Sequence, residues 1–398
     1  LEEIMLISNA NIHTMTGKVI ASGSVRICDG KIDTVCAGSL EPLPDERVLD
    51  LHGAGLYPGF IDAHTHLGMW EDGLTFEGDD GNEETDPVSP QLRAVDAINP
   101  LDRCFSEALA AGVTTVVTGP GSADPIGGQM AAIKTYGERI DDMIVKAPLA
   151  IKMALGENPK TVYHGRNEAP FTRMATASLI RSELFKAQRY MEDLERSKSD
   201  EETDPPEFDM KCESLLPVLR GEVEVHFHAH RADDIYTAVR IAKEFNLNYV
   251  VVHGTEAYLI VNGLLHDQVR VLAGPILCDR SKPELKNLTP SCPGILAKAG
   301  IETAIITDHP VIPIQYLPLC AALAVREGMD PEDALRAITI NPAKICGIDG
   351  RVGTIEKGKD ADLTVFASNP LSLESKPLCV IVGGNVAFGG ENGANAAI

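Results

Sequence analysis

The chain is short of positive charge, long apolar runs and paired cysteines, and each shortage narrows what it can be. Thirty-five Lys and Arg face 58 Asp and Glu, a formal net charge of −23. Such a field repels phosphates, so neither nucleic acid nor anionic membrane is expected as a partner. No apolar run approaches the ~18 residues of a membrane span. The opening Leu1-Glu2-Glu3 lacks the basic flank of a secretory signal. Nine cysteines, scattered from Cys28 to Cys379 with no C-x-x-C pair, argue against a disulfide framework or a cysteine zinc knuckle. They favour a reducing, cytoplasmic compartment.

What is there reads as an ordinary globular chain of 398 residues, 44% hydrophobic and 23% charged. The length suits two or three domains, or one large barrel with an appendage. The first ~55 residues carry short β-rich runs, with Asp29-Gly30 as a hairpin signal. The last ~50 read the same way, with Gly383-Gly384 as a turn. This predicts one small β-sandwich domain built from both termini, residues 1–57 and 348–398. Two separate flaps are the alternative.

Residues 58–347 alternate strand and helix patterns, which points to a parallel barrel. Candidate strands cover 60–64, 114–118, 150–155, 223–228, 249–253, 269–273 and 304–307, with an eighth suspected near Ile144. Candidate helices cover 101–111, 235–244 and 331–339, the last starting at Pro331 behind an Asp330 cap. Two insertions break the rhythm. Residues 67–100 hold many acids, among them Glu71, Asp72, Glu77 and Asp79, and the only tryptophan, Trp70. They leave directly from the first strand and are expected to cover the barrel mouth. Residues 158–215 hold a long helical pattern from Ser178 to Lys198 and then a polar stretch from Ser199 to Pro206, expected to be mobile.

The sharpest chemical signal is Asp62-Ala63-His64-Thr65-His66. In a strand, residues two apart share a face, so both imidazoles can reach one metal. Two ordinary histidines are the bland alternative. More polar residues close predicted strands: His228, His253 and Asp308, with Lys152 inside an apolar strand. Barrel enzymes take their chemistry from strand C-termini. One histidine there is usually structural; this many metal-type residues together argue for a metal.

At this point the sequence resembles the amidohydrolase superfamily. The segments are 57–66 (YPGFIDAHTH), 111–115 (AGVTT), 252–256 (VHGTE), 307–310 (TDHP), 341–343 (NPA) and 353–363 (GTIEKGKDADL). They span nearly the whole chain in order. The subgroup looks like the imidazolonepropionase-related amidohydrolases of unassigned substrate, and residues 152–160 (KMALGENPK) look like one such cluster. The resemblance implies an α/β fold, a distorted (β/α)8 TIM barrel with one or two divalent metals, Zn by default, with Fe or Mn as alternatives. His64 and His66 would hold the first metal and His228 and His253 the second, while Asp308 would touch the first and act as general base.

The resemblance also implies a ligand shared by the two metals. Lys152, as a carbamate, and Glu157 compete for it. Lys152 is favoured because its strand is apolar and resembles the bridging-lysine strand of isoaspartyl dipeptidases. A salt bridge from Lys152 to an inward acid is the alternative. By parity His226 and His230 share the face of His228; His230 is expected to touch substrate and His226 to be structural. His309 should point the other way. Arg166, Arg231, Arg173 and His164 are candidates to meet a substrate carboxylate, with ordinary ion pairs as the alternative.

The reaction expected is metal-assisted hydrolysis of an amide or cyclic-amide C–N bond in a small molecule. Homo-oligomerisation is possible. A single-metal deaminase is one alternative, but deaminases of the superfamily typically place Glu three residues after the fifth-strand His, and position 231 is Arg. A non-enzymatic scaffold is the other, but it would be expected to lose ligands.

Overall fold

The structure, a computed structural model, describes residues 4–71, 74–200 and 202–389. Leu1, Glu2, Glu3 and Asp72, named above, and Glu201, within the polar stretch from Ser199 to Pro206, lie outside the described residues. The N-terminal strands are β1 (Ile4–His13), β2 (Val19–Cys28), β3 (Lys31–Ala37), β4 (Arg47–Asp50) and β5 (Gly55–Pro58). Asp29 and Gly30 turn β2 into β3 with φ of 48° and 73°, the left-handed pair that a tight hairpin needs.

Eight strands then follow in chain order across one sheet. They are β6 (Phe60–Thr65), β7 (Val113–Thr118), β8 (Ile126–Lys134), β9 (Ile144–Ala154), β10 (Glu224–Ala229), β11 (Tyr249–His253), β12 (Val271–Ala273) and β13 (Thr303–Ile305). The eighth strand is not the one suspected near Ile144. It is β8, antiparallel to both neighbours, and Ile144 instead opens an eleven-residue β9 that runs into the expected 150–155 segment. No helix separates β7 from β8, so the strand–helix rhythm gave no hint of it.

The ends of this sheet meet without a ladder. Asp62 on β6 closes the seam, accepting from the Thr307 hydroxyl at 2.6 Å and the Thr307 N–H at 3.0 Å. Next to it His66 N–H donates to the His309 carbonyl at 2.8 Å. The result is a nearly closed, distorted barrel.

Alternation sorts the strands. Ala150 on β9 and Val250 and Val252 on β11 join the inner core with Leu272, Ala304 and Ile306. Ile151, Met153, Val225 and Phe227 face outward against Ile180, Leu184 and Ala187 of the helix Arg173–Ser199. That leaves Lys152, His226 and His228 on the inner side. The expected long helix is therefore there, capped by Thr172, whose side chain accepts from Ala175 N–H. Asp330 likewise caps Pro331–Arg336.

The chain returns through β14 (Leu363–Phe366), β15 (Pro377–Val382) and β16 (Asn385–Gly389). β14 pairs antiparallel with β5, so strands from both termini share one mixed sheet rather than two flaps. Its core is Ile7, Ile12, Val25, Leu56, Leu363 and Ile381. An ionic knot joins this sheet to the barrel: Lys134 of β8 lies 2.9 Å from Asp360 and also pairs with Asp362. Lys31 and Arg351 reach the same Asp360. None of the nine cysteines is in a disulfide, and among the described residues no helix is long and apolar enough to cross a membrane.

Candidate metal centre and its cavity

The inner side chains at the C-terminal ends of β6, β9, β10, β11 and β13 converge. Nε2 of His64 and Nε2 of His66 lie 3.4 and 3.3 Å from Oδ1 of Asp308. Two donors about 2.1 Å from one ion at tetrahedral angles stand about 3.4 Å apart, so this trio has the spacing of ligands. One ligand atom from each of His64, His253 and Asp308 falls within 4.8 Å of the others, and the same holds for His228, His230 and His253.

His253 reaches this chamber by breaking the alternation. Val251 packs among the outward helices, and a regular strand would send His253 the same way. Its φ of 75° turns it inward, a left-handed conformation costing about 1–3 kcal/mol outside glycine. Asp308 is also left-handed, with φ of 57°. Strain of this kind collects at functional sites.

Outer partners fix the rings. His66 Nδ1 contacts the Gly119 carbonyl at 2.7 Å and His253 Nδ1 the Gly274 carbonyl at 2.8 Å. A ring held at Nδ1 presents Nε2 to an ion. Burial holds His64 and His228 well below the usual imidazole range and His253 down to about 4, so these rings are neutral and able to donate a lone pair. Burial alone would raise Asp308, but its hydrogen-bond contacts with the His64 and His66 side chains work against that, and its carboxyl lies well below the usual carboxylate range. Neither nitrogen of His228 has a hydrogen-bond partner among the described residues, and the same holds for the deeper His226. Buried orphan nitrogens are costly unless something accepts their lone pairs, and a divalent cation does.

Lys152 is wholly buried, and its Nζ lies 3.2 Å from His64 Nε2 and 3.4 Å from the Pro120 carbonyl. No carboxylate of the described residues lies within ion-pair distance of it, which removes the salt-bridge alternative. Burial brings its ammonium down to about 8. Glu157 lines the cavity above the cluster, at the start of the helix Glu157–Gly165 on the loop side of Gly156. Its carboxylate accepts from the Glu284 N–H at 3.3 Å and belongs to neither ligand cluster.

A cavity of about 820 Å³ opens over the cluster, lined by His66, His228, His230 and Asp308. Trp70, Glu71, Asn82 and Glu84 of the acidic insertion form part of its wall. The insertion is moored to the β7–β8 loop, where Gly121 N–H meets the Gly81 carbonyl at 2.8 Å and Ala123 N–H meets Asn82 Oδ1 at 3.1 Å. Trp70 Nε1 donates to Asp79, and its ring stands edge-on to His66 at 4.6 Å.

The arginines do not converge here. Arg231 is held by Asp233 through two hydrogen bonds at 2.9 and 2.7 Å and does not line this cavity. Arg166 pairs with Glu84 and lines the neighbouring cavity instead. Arg173 binds Asp234, and His164 stands edge-on to Phe171. His226 is deep and wholly buried. His309 Nδ1 accepts from the Ile314 N–H at 3.1 Å.

One residue of the site was not anticipated. Glu284, in the loop after β12, is 1% exposed and brings Oε1 to 3.8 Å from His228 Nε2 and 3.6 Å from His230 Nε2. Nothing in the pattern Lys282-Pro283-Glu284 marks a buried carboxylate.

The comparisons agree with this geometry. The amidohydrolase family model matches residues 56–387, and the chain belongs to that family, whose enzymes act on carbon–nitrogen bonds. It is 43% identical to the crystal structure of an amidohydrolase from Thermotoga maritima MSB8, with a TM-score of 0.93 over 97% of this chain and 100% of that one. It is 30% identical to amidohydrolase tasK of Hapsidospora irregularis across 90% of this chain, which spans only 39% of that relative. An imidazolonepropionase from Symbiobacterium thermophilum is 25% identical, over 92% of this chain and 91% of its own. A prolidase complexed with N-methylphosphonate-L-proline shares the fold, at 17% identity and a TM-score of 0.60.

Proposed function

We propose that this chain is a two-metal hydrolase of an amide or cyclic-amide C–N bond in a small molecule. The observation that carries it is the buried Lys152 amine, 3.2 Å from a histidine of the cluster and without a carboxylate partner. A free ammonium cannot bind a metal, whereas an amine that adds carbon dioxide becomes a carbamate with two anionic oxygens. With its ammonium brought down to about 8, Lys152 supplies the neutral amine that this addition needs. His64, His66 and Asp308 would hold one ion, His228 and His253 the other, and the Lys152 carbamate would lie between them. Zinc is the default ion for such a set, with iron and manganese next.

When bound, the ions would lower the pKa of a water and polarise the substrate carbonyl. Asp308, ionised and facing the cavity, takes the proton of the attacking water and delivers it to the leaving nitrogen. The Trp70 wall screens the reacting carbonyl from bulk water. The deaminase reading gains nothing from the site: position 231 is Arg, and its guanidinium is bound to Asp233. The experiment is a hydrolysis screen of N-acyl amino acids, dipeptides and cyclic amides on zinc-loaded protein. Release of the amine from one class, abolished by a chelator, supports the proposal; hydrolysis that survives chelation overturns it.

A further inference from the structure

We propose that His230 and Glu284 are ligands of the second cation subsite together with His228. The inference rests on the two-metal reading above and extends it to residues that reading leaves out.

His253 belongs to both ligand clusters, yet its Nε2 can serve only one ion at a time. The cluster around Asp308 is already rich in donors. If His253 serves the Asp308 ion, only His228 and the Lys152 carbamate remain for the second, and two further side chains are aimed at it.

His230 carries the mark of a ligand. Its Nδ1 contacts the Thr255 hydroxyl at 2.8 Å, where His66 and His253 contact backbone carbonyls, and its Nε2 faces the chamber. Its ring stacks on His253 at 4.4 Å with 13° between planes. It is 3% exposed and lines the floor of the cavity beside His228.

Glu284 supplies the anion. Its Oε2 accepts from the Glu157 N–H at 3.0 Å, while Glu157 accepts from the Glu284 N–H at 3.3 Å. This reciprocal clasp orients the carboxylate and leaves Oε1 toward His230 Nε2 at 3.6 Å and His228 Nε2 at 3.8 Å. Donors on one ion stand about 3.4 Å apart at tetrahedral angles and further apart when opposed. Lys282 also reaches Oε1, at 2.7 Å. A purely electrostatic role for Glu284 as the counter-ion of Lys282 is therefore the competing explanation, and the experiment separates the two.

Zinc is titrated against a competing chelator into metal-free wild type, His230→Asn, Glu284→Gln and Lys282→Met, with content read by mass spectrometry. The visible spectrum of cobalt-loaded protein reports the ligand field independently of activity, and thermal unfolding of the metal-free variants checks their folding. Wild type should bind two equivalents. His230→Asn and Glu284→Gln should keep the tighter equivalent and weaken the other by at least the ~10–100-fold that even outer-shell changes cost. Lys282→Met should keep both. Wild-type affinity for both equivalents in His230→Asn or in Glu284→Gln removes that residue from the subsite. Equal losses in Lys282→Met and Glu284→Gln assign Glu284 to the ion pair instead. A wild type with two equivalents that both His230→Asn and Glu284→Gln keep at full affinity overturns this inference alone; a wild type with one equivalent overturns the two-metal reading with it, and one with none overturns the metal-dependent reading itself.

Discussion

Nζ of Lys152 and Nε2 of His64 lie 3.2 Å apart inside the barrel, 88 residues apart in sequence, with the lysine lacking any acid to pair with among the described residues. The lysine arrives on β9, paired in register with His226 of β10. The histidine arrives on β6. Their meeting is the point from which the chemistry above is argued.

If Lys152 carries the shared carbamate, Lys152→Ala removes two anionic oxygens at once. Bound metal should fall from about two equivalents to one or fewer, and turnover should fall by at least ~10²-fold. A small carboxylate supplied in solution should restore part of both. Metal analysis and turnover with and without added propionate check this; unchanged metal content would remove Lys152 from the centre.

Asp308→Asn keeps the shape and one oxygen but removes the base. Metal content should fall only modestly while kcat falls by ~10²–10⁴, the usual worth of a positioned base. Wild-type turnover in this variant would take Asp308 out of the mechanism.

The acidic insertion walls the cavity through Trp70, Asn82 and Glu84 but offers no atom to either ligand cluster. Replacing residues 71–84 with a short linker should raise KM several-fold and leave metal content intact. Unchanged kinetics would show that the insertion does not take part in binding.

Asp360 anchors the terminal sheet to the barrel. Burial opposes its ionisation, but Lys134, Lys31 and Arg351 outweigh that and hold it down at about 2 against an ordinary 3.8. A group depressed on folding adds stability that is complete well above pH 3.8 and is lost as pH falls toward 2. The shift corresponds to about 2 kcal/mol at neutral pH. Urea unfolding should therefore show Asp360→Asn less stable at pH 7, with the gap narrowing between about pH 5 and pH 3. A gap constant over that range would contradict the linkage.

Much of the site is legible in the sequence because strand parity is simple. Asp62, His64 and His66, or Lys152 among apolar neighbours, stand out once a strand is placed. His253 stood out only as the last residue of an apolar run; its inward turn depends on a φ of 75° that no residue pattern announces. β8 was missed because a hairpin, not a helix, joins it to β7. Glu284 was missed, and the arginines were expected at the cavity, for one reason. Loop residues take their position from tertiary contacts, here Glu157 for Glu284, Glu84 for Arg166 and Asp234 for Arg173, and sequence spacing does not encode those contacts.

The most direct measurement is the zinc content of the purified, zinc-reconstituted wild-type chain, taken with the intact mass under non-denaturing conditions. The account predicts about two equivalents per chain, together with a mass increment of one carbon dioxide that vanishes in Lys152→Ala. A chain that retains no stoichiometric metal, or that holds two ions with Lys152 unmodified, would contradict it.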